Sequence, residues 1–371
     1  MKKTVQVRGD LNNSRLQFER QRKGNVAFMG GSITEMNAYR PLVGDLLQKR
    51  FPQTAFTFTN AGLASTCSST GAFRLQRDVL DQGPVDLLFV EFAVNDDQDG
   101  RFSREECIRG MEGIIRQARL KNPKIDIVMT FFVNEGMIKS YQARKTPLSI
   151  EAHEVVAQAY AISTINVAKQ FTDQAAAGKI TWQQYGGVHP KPAGADFCAR
   201  MMDSLFSRVW SSPLSAQAQS RAHDLPAKPL DPFSYFNGRF IDPKQAVVKS
   251  GWTLAVPDWR SLPGEKRERY TSIPMLCAIK PGSELTLEFD GTAVGAFVVA
   301  GPDAGIAEAS VDGGPFRAIN LSGSFSGSLH YPWTVMLGAG LKSGRHLLAL
   351  RISGEPKTAG HAMRILQFTA N

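Results

Sequence analysis

Short apolar runs alternate with amphipathic stretches through the first 210 residues, and this rhythm limits the chain to few folds. Val26–Met29 reads as a buried strand, and the stretch after it places Leu42, Val43, Leu46 and Leu47 on one helical face. Phe56–Phe58, Asp86–Phe92, Ile125–Phe131 and Ser163–Val167 read as further strands. Ser103 with Glu106 three residues on is a capping box, opening a helix that runs to about Lys121. Strand and helix alternating at this spacing predict an α/β domain, a parallel sheet with helices on both faces.

The pattern ends near residue 211. Pro213, Pro226, Pro229 and Pro232 interrupt a polar Ser/Ala/Gln stretch, which reads as a linker over 211–235. Beyond it the helical period disappears. Glu284–Phe289 alternates polar and apolar residues, Asp312-Gly313-Gly314 reads as a turn, and Leu347–Ile352 and Met363–Phe368 are strand-like. Many short strands with Gly-rich turns predict a smaller all-β sandwich, jelly-roll-like, over 236–371. The chemistry is expected in the domain over 1–210.

Composition excludes several classes. With 43% hydrophobic and 21% charged residues, the 371-residue chain can bury cores and is not disordered. The formal net charge is +9, with a basic cluster at Lys2, Lys3, Arg8, Arg15, Arg20, Arg22 and Lys23. A solvated basic face is the plain reading, and attraction to an acidic polysaccharide the sharper one. No nucleic-acid motif or aromatic-interleaved basic stripe is present, so no nucleic-acid partner is expected. Cys67, Cys107, Cys198 and Cys277 are scattered without metal-ligand spacing, so neither a metal site nor a disulfide framework is expected. No run of ~18 apolar residues predicts membrane insertion. The N-terminus has no apolar leader, which fits a soluble chain, cytoplasmic or the mature form of a periplasmic or secreted one. Oligomeric state is left open.

The strand ends carry the chemistry. Ser32 follows Gly30-Gly31 after the first strand, where open α/β sheets place ligands. Gly62 follows the second strand and offers an unobstructed backbone N–H. Asn95 follows the third, and an amide there can donate to a developing oxyanion, a contribution of roughly 3 kcal/mol. His189 closes Gly186-Gly187-Val188-His189 and can take the proton of Ser32. Singly, each has a plain reading as a turn or solvated loop residue. Together they make a nucleophile, oxyanion donors and a base.

This arrangement resembles the SGNH/GDSL hydrolase superfamily. The blocks map onto Gly30-Gly31-Ser32, Gly62, Ala93-Val94-Asn95-Asp96 and Gly186-Gly187-Val188-His189, and the resemblance covers about residues 24–208. It implies a flavodoxin-like three-layer fold, Ser32 as nucleophile, His189 as base, and an oxyanion hole from the Ser32 and Gly62 N–H groups and the Asn95 amide. No metal or organic cofactor is implied. Gly31 and Ala93 are mild departures. Gly186 is the serious one, because the family places there the aspartate that orients the histidine. The sequence therefore predicts a Ser–His dyad or a carboxylate recruited from elsewhere, with Glu154, Asp173 and Glu135 as candidates. Restoring the acid with Gly186→Asp is expected to raise activity if the loop is otherwise standard.

For the substrate, Asn134–Ser149 reads as a long connection at the reactive end of the sheet. Glu35, Arg40, Glu135 and His153 are candidate substrate contacts, although each also reads as an ordinary surface residue. No long apolar run lines these loops. Trp252, Trp259 and Trp333 offer stacking surfaces for sugar, or core. The expected substrate is a small acyl ester, most of all O-acetyl, on a polysaccharide or oligosaccharide. A lipase or thioesterase, and a carbohydrate-binding protein with a decayed active site, are the alternatives.

Overall fold

In a computed structural model of the chain, residues 4–355 and 360–371 are described. Lys2 and Lys3 of the basic cluster lie outside these. The chain divides into two compact units, Met1–Ser234 and Tyr235–Asn371. Among the described residues no helix is long and apolar enough to cross a membrane.

The first unit is built on strands β1 (Val5–Gln6), β2 (Lys23–Gly30), β3 (Ala55–Gly62), β4 (Leu87–Val90), β5 (Asp126–Phe131) and β6 (Ser163–Asn166). Their order across the sheet is β1-β6-β5-β4-β2-β3, parallel except for β1. Every residue of β4 and β5 is buried, which is why these segments read as near-continuous apolar runs. The edge strand β3 is mostly open until Ala61 and Gly62. The helices are α1 (Asn12–Leu16), α2 (Ser32–Glu35), α3 (Tyr39–Arg50), α4 (Ser68–Leu75), α5 (Ala93–Asn95), α6 (Arg104–Lys121), α7 (Glu135–Gln142), α8 (Leu148–Ala159), α9 (Val167–Ala176), α10 (Trp182–Tyr185) and α11 (Pro192–Val209). The expected capping box at Ser103 and Glu106 opens α6. α3 packs on α11, while α4, α6 and α8 pack together. Successive connections leave β2 in opposite directions along the sheet, and right-handed crossovers then place their helices on opposite faces. This is the three-layer α/β architecture. Its switch point lies between β2 and β4, where a crevice opens at the C-terminal strand ends.

Residues 211–234, read from sequence as a linker, belong to the first unit. Arg15 donates to the Ser212 carbonyl at 2.8 Å, and Arg20 to the carbonyls of Ser215 and Ala216. The buried Glu112 of α6 accepts from Leu230 N–H at 2.6 Å, Tyr160 O–H at 2.6 Å and the Ser234 hydroxyl. Asp126, buried at the start of β5, accepts from Ser14 N–H at 2.7 Å and His223 at 2.9 Å. The strap has no apolar period to betray this docking. It is held by buried charged side chains reaching its polar groups. Arg15 and Arg20 thereby tie the strap to the rest of the unit, and Arg8 pairs with Glu154 at 2.6 Å, while Arg20, Arg22 and Lys23 stay exposed.

The second unit comprises β7 (Arg239–Ile241), β8 (Val247–Ser250), β9 (Thr253–Ala255), β10 (Glu265–Lys266), β11 (Met275–Ala278), β12 (Glu284–Ala300), β13 (Ile306–Val311), β14 (Arg317–Asn320), β15 (Leu329–Ile352) and β16 (Met363–Ala370). The main path is β14-β13-β15-β12-β16-β11-β9, antiparallel throughout, while the two-residue β10 joins β15 in parallel. β12 and β15 run through Gly291 and Gly344, with a shift of register between Gly291 and Ala293. Such bulges bend a strand and let long strands close a sandwich around one core. Leu285, Leu287 and Phe289 face that core with Leu348, Leu350 and Ile352 from β15. Trp252 is part of the core. Trp333 packs against it and donates to the Leu321 carbonyl, and Arg364 lies over the Trp259 ring at 5.5 Å. Trp252 thus serves packing, while Trp259 and Trp333 stay only half-buried.

Candidate active site

Ser32 begins α2 where β2 ends. Gly31 N–H donates to the Glu91 carboxyl at 2.8 Å, and the Thr34 hydroxyl donates to the same oxygen at 2.7 Å. Arg74, buried beneath the turn, holds the Gly30 carbonyl at 2.9 Å. The turn that carries Ser32 is therefore fixed from below by an acid and a guanidinium. Burial pushes Glu91 up to about 8, and its second oxygen is buried without a hydrogen-bond partner. Glu91 was missed from sequence, yet it left a signal: a lone carboxyl in the otherwise apolar Leu87–Phe92 run.

The histidine arrives on a different device. α10 opens with a Thr181–Gln184 capping box, and the chain then turns through Gly186 and Gly187 at φ 114° and 83°. Both glycine N–H groups donate to the Trp182 carbonyl, and Lys191 N–H returns to the Tyr185 carbonyl at 2.9 Å. The result places His189 Nε2 2.7 Å from Ser32 Oγ, across 157 residues of sequence. The imidazole is exposed, so a substrate can reach it.

Asn95 ends α5, immediately after β4, and its carboxamide lies flat against Gly31. A methyl group added at Gly31 would stand 2.1 Å from Asn95 Oδ1, so a side chain there would expel the amide. Asn95 Nδ2 donates to Asp99 at 2.7 Å. The next residue, Asp96, is a buried anchor. Its carboxylate accepts from Ser68 N–H at 2.8 Å, from the Ser68 hydroxyl at 2.6 Å, and from His153 Nε2 at 3.0 Å. The Cys107 thiol also bonds it, and burial with the Asp96 charge pushes that thiol up. Asp96, Cys107 and His153 bring ligand-type atoms within 4.8 Å of one another, and these hydrogen bonds account for the cluster. Asp97 ties to Asn134, the cap of α7, at 2.8 Å. One run of polar residues thus pins the Asn95 loop to α4, α6, α7 and α8.

The remaining sequence candidates are distributed differently. Gly62 lies at the end of β3 beside α2, but its N–H already donates to Asn60 Oδ1 at 2.9 Å. Glu35 Oε2 accepts from Ala64 N–H at 2.9 Å, and so fixes the loop after Gly62. Arg40 caps α2, donating to the carbonyls of Thr34, Glu35 and Met36. Both were expected as substrate contacts; both brace the loops around Ser32. Glu135 is exposed in the first turn of α7. His153 is fully buried, which removes it from the surface of the crevice; its apolar face sits near Phe131 and its Nε2 is spent on Asp96.

Among the described residues no carboxylate hydrogen-bonds the His189 ring. Glu154 is taken by Arg8 and Thr164, Asp173 by Lys169 and Asp196 by Arg200. Gly186 has no room for an acid. A side chain there would meet the backbone N of Lys191 at 2.3 Å, in a left-handed conformation that favours glycine. A gain from Gly186→Asp was expected only in a loop otherwise standard, and this geometry does not meet that condition.

Residues 28–197 match the GDSL-like lipase/acylhydrolase family. No curated protein matches the chain. Among solved structures it is similar to a two-domain esterase (CEX) active on acetylated mannans, at 19% identity and TM-score 0.78, covering 100% of this chain and 97% of that one. A form of that esterase co-crystallized with mannopentaose gives 20% identity and TM-score 0.76 over the same shares. At these identities the likeness is one of fold, and it spans both units. Ser32, Gly62, Asn95 and His189 all lie inside the span that matches the GDSL-like lipase/acylhydrolase family.

Proposed function

We propose that the protein is a serine esterase that removes small acyl groups, above all O-acetyl, from a polysaccharide or oligosaccharide through an acyl-enzyme on Ser32. The observation that carries this reading is the 2.7 Å approach of His189 Nε2 to Ser32 Oγ at the switch point of the sheet. The whole-chain likeness to an esterase active on acetylated mannans supports the choice of substrate class.

In this mechanism neutral His189 accepts the Ser32 proton at Nε2 while Oγ attacks the ester carbonyl. The negative charge that develops on the carbonyl oxygen is met by the Asn95 amide and the Ser32 and Gly62 N–H groups. Gly62 takes part through a three-centre bond shared with Asn60, or after Asn60 turns away. The tetrahedral adduct collapses, His189 returns the proton to the departing sugar hydroxyl, and acyl-Ser32 remains. Water, deprotonated by His189, then releases the carboxylic acid and free serine. Among the described residues no carboxylate hydrogen-bonds His189, so the glycine-rich loop and the Ser32 contact hold the ring.

The test is acetate release from acetylated mannan and other acetylated glycans by wild type, Ser32→Ala and His189→Ala, beside turnover of acetyl and octanoyl nitrophenyl esters. A loss of about 10³-fold or more in kcat/KM for both variants is expected, with acetyl preferred over octanoyl. Equal slow release by wild type and Ser32→Ala removes the esterase reading. Preference for octanoyl moves the assignment to a lipase or thioesterase.

A further inference from the structure

We propose that Asp99 is a positioning residue of the Ser32 site, whose carboxylate dictates which way the Asn95 carboxamide faces; this rests on the esterase reading. An asparagine side chain is nearly symmetric in shape but not in chemistry: one end donates and the other accepts, and its partners decide the flip. Asn95 lies over Gly31, beside the nucleophile, so its flip decides whether an amide donor or a carbonyl oxygen meets a bound ester. A carboxylate can only accept. With Asp99 Oδ2 at 2.7 Å, the NH₂ end must face it, and the flipped amide would set oxygen against oxygen. The NH₂ group carries two hydrogens. One goes to Asp99, leaving the other for the oxyanion.

The local backbone is built to deliver this contact. Asp96–Gly100 forms a π-helical turn, closed by Phe102 N–H on the Asp96 carbonyl at 2.9 Å and ended by Arg101 at φ 49°. Such insertions re-aim side chains near functional sites. Here the turn brings Asp99, four residues on, back over Asn95. The buried Asp96 fixes the start of the turn, so Asp99 is presented from a braced position. Gln98 donates to its other oxygen at 3.2 Å. Burial raises the proton affinity of Asp99, while the Asn95 and Gln98 bonds and the charge of His189 oppose this.

The experiment compares Asp99→Ala and Asp99→Asn with wild type in two readouts. The first is kcat and KM on an aryl acetate. The second is proton exchange of the Asn95 side-chain NH₂, observed by nitrogen–proton NMR and assigned with Asn95→Asp. In Asp99→Ala, kcat is expected to fall about tenfold to a hundredfold, less than loss of a whole oxyanion donor, with KM within about twofold. The NH₂ protons should exchange faster. Asp99→Asn, whose own carbonyl can accept, should recover kcat to within about fivefold of wild type. Asp99→Ser, too short to reach the amide, replaces the alanine variant if that variant fails to fold. Wild-type kcat and exchange in Asp99→Ala overturn the proposal, as does an equal fall in the asparagine and alanine variants at unchanged thermal midpoints. If wild type hydrolyses no ester, the esterase reading fails, and NH₂ exchange alone decides the role of Asp99.

Discussion

Beneath Ser32, Glu91 combines two demands. It must accept from Gly31 N–H and Thr34, and it must do so buried, at 2% exposure. Burial therefore holds its proton up to about 8. A buried acid of this kind favours the folded state while protonated. Its contribution is complete below the ordinary glutamate value of 4.5 and is lost as pH climbs through about 8. Unfolding free energy should accordingly decline across that window. Glu91→Gln keeps the acceptor oxygen and removes the titration, so it should flatten the decline, as read from urea unfolding at about pH 5 and about pH 9. An equal slope in both proteins would show that other groups set it. At Gly186 the outcome is a loss. An aspartate must adopt φ 114° and press on Lys191 N, which costs roughly 1–3 kcal/mol and moves the histidine loop. Gly186→Asp should lower kcat/KM at least tenfold; a gain would show that the loop rearranges to seat an acid. The meeting of Ser32 and His189 was legible because each sits in a short glycine-bearing motif next to a strand. The bracing work of Glu35, Arg40 and His153 was not, because their partners are backbone carbonyls, a backbone N–H and a buried acid from other segments.

The strap over residues 211–234 shows the same limit at the level of elements. A Pro- and Ser-rich stretch without apolar period reads as a tether, and nothing local shows that Glu112, Asp126, Arg15 and Arg116 reach for it. Removing the strap would leave Glu112 and Asp126 buried without part of their donors. Losing one partner of a buried charge costs about 3–5 kcal/mol. A chain cut after Trp210 should melt about 10 °C or more below one cut after Ser234, or fail to fold. Equal cooperative melts, followed by circular dichroism, would make the strap a passive tether. The strands of the second unit were legible only in part. Glu284–Phe289 and Leu347–Ile352 betray their alternation, but β12 and β15 continue through bulges at glycine, where the period of two breaks.

Over the whole molecule, an α/β part followed by a sheet-rich part was readable from the loss of the helical period after the 211–235 stretch, since the period follows from the geometry of the backbone itself. What the alternation does not carry is which strand ends meet. The order β3-β2-β4 brings the ends of three consecutive strands together at one crevice, and His189 joins them from the opposite end of the domain sequence. The most direct measurement is covalent. Wild type, Ser32→Ala and His189→Ala are treated with an acyl-like fluorophosphonate and the modified peptide is mapped by mass spectrometry. A single label on the peptide carrying Ser32, absent in Ser32→Ala and slowed by about 10³-fold or more in His189→Ala, is the expected result. A label on another residue, or one formed equally fast without His189, would contradict the pairing of this hydroxyl and this imidazole.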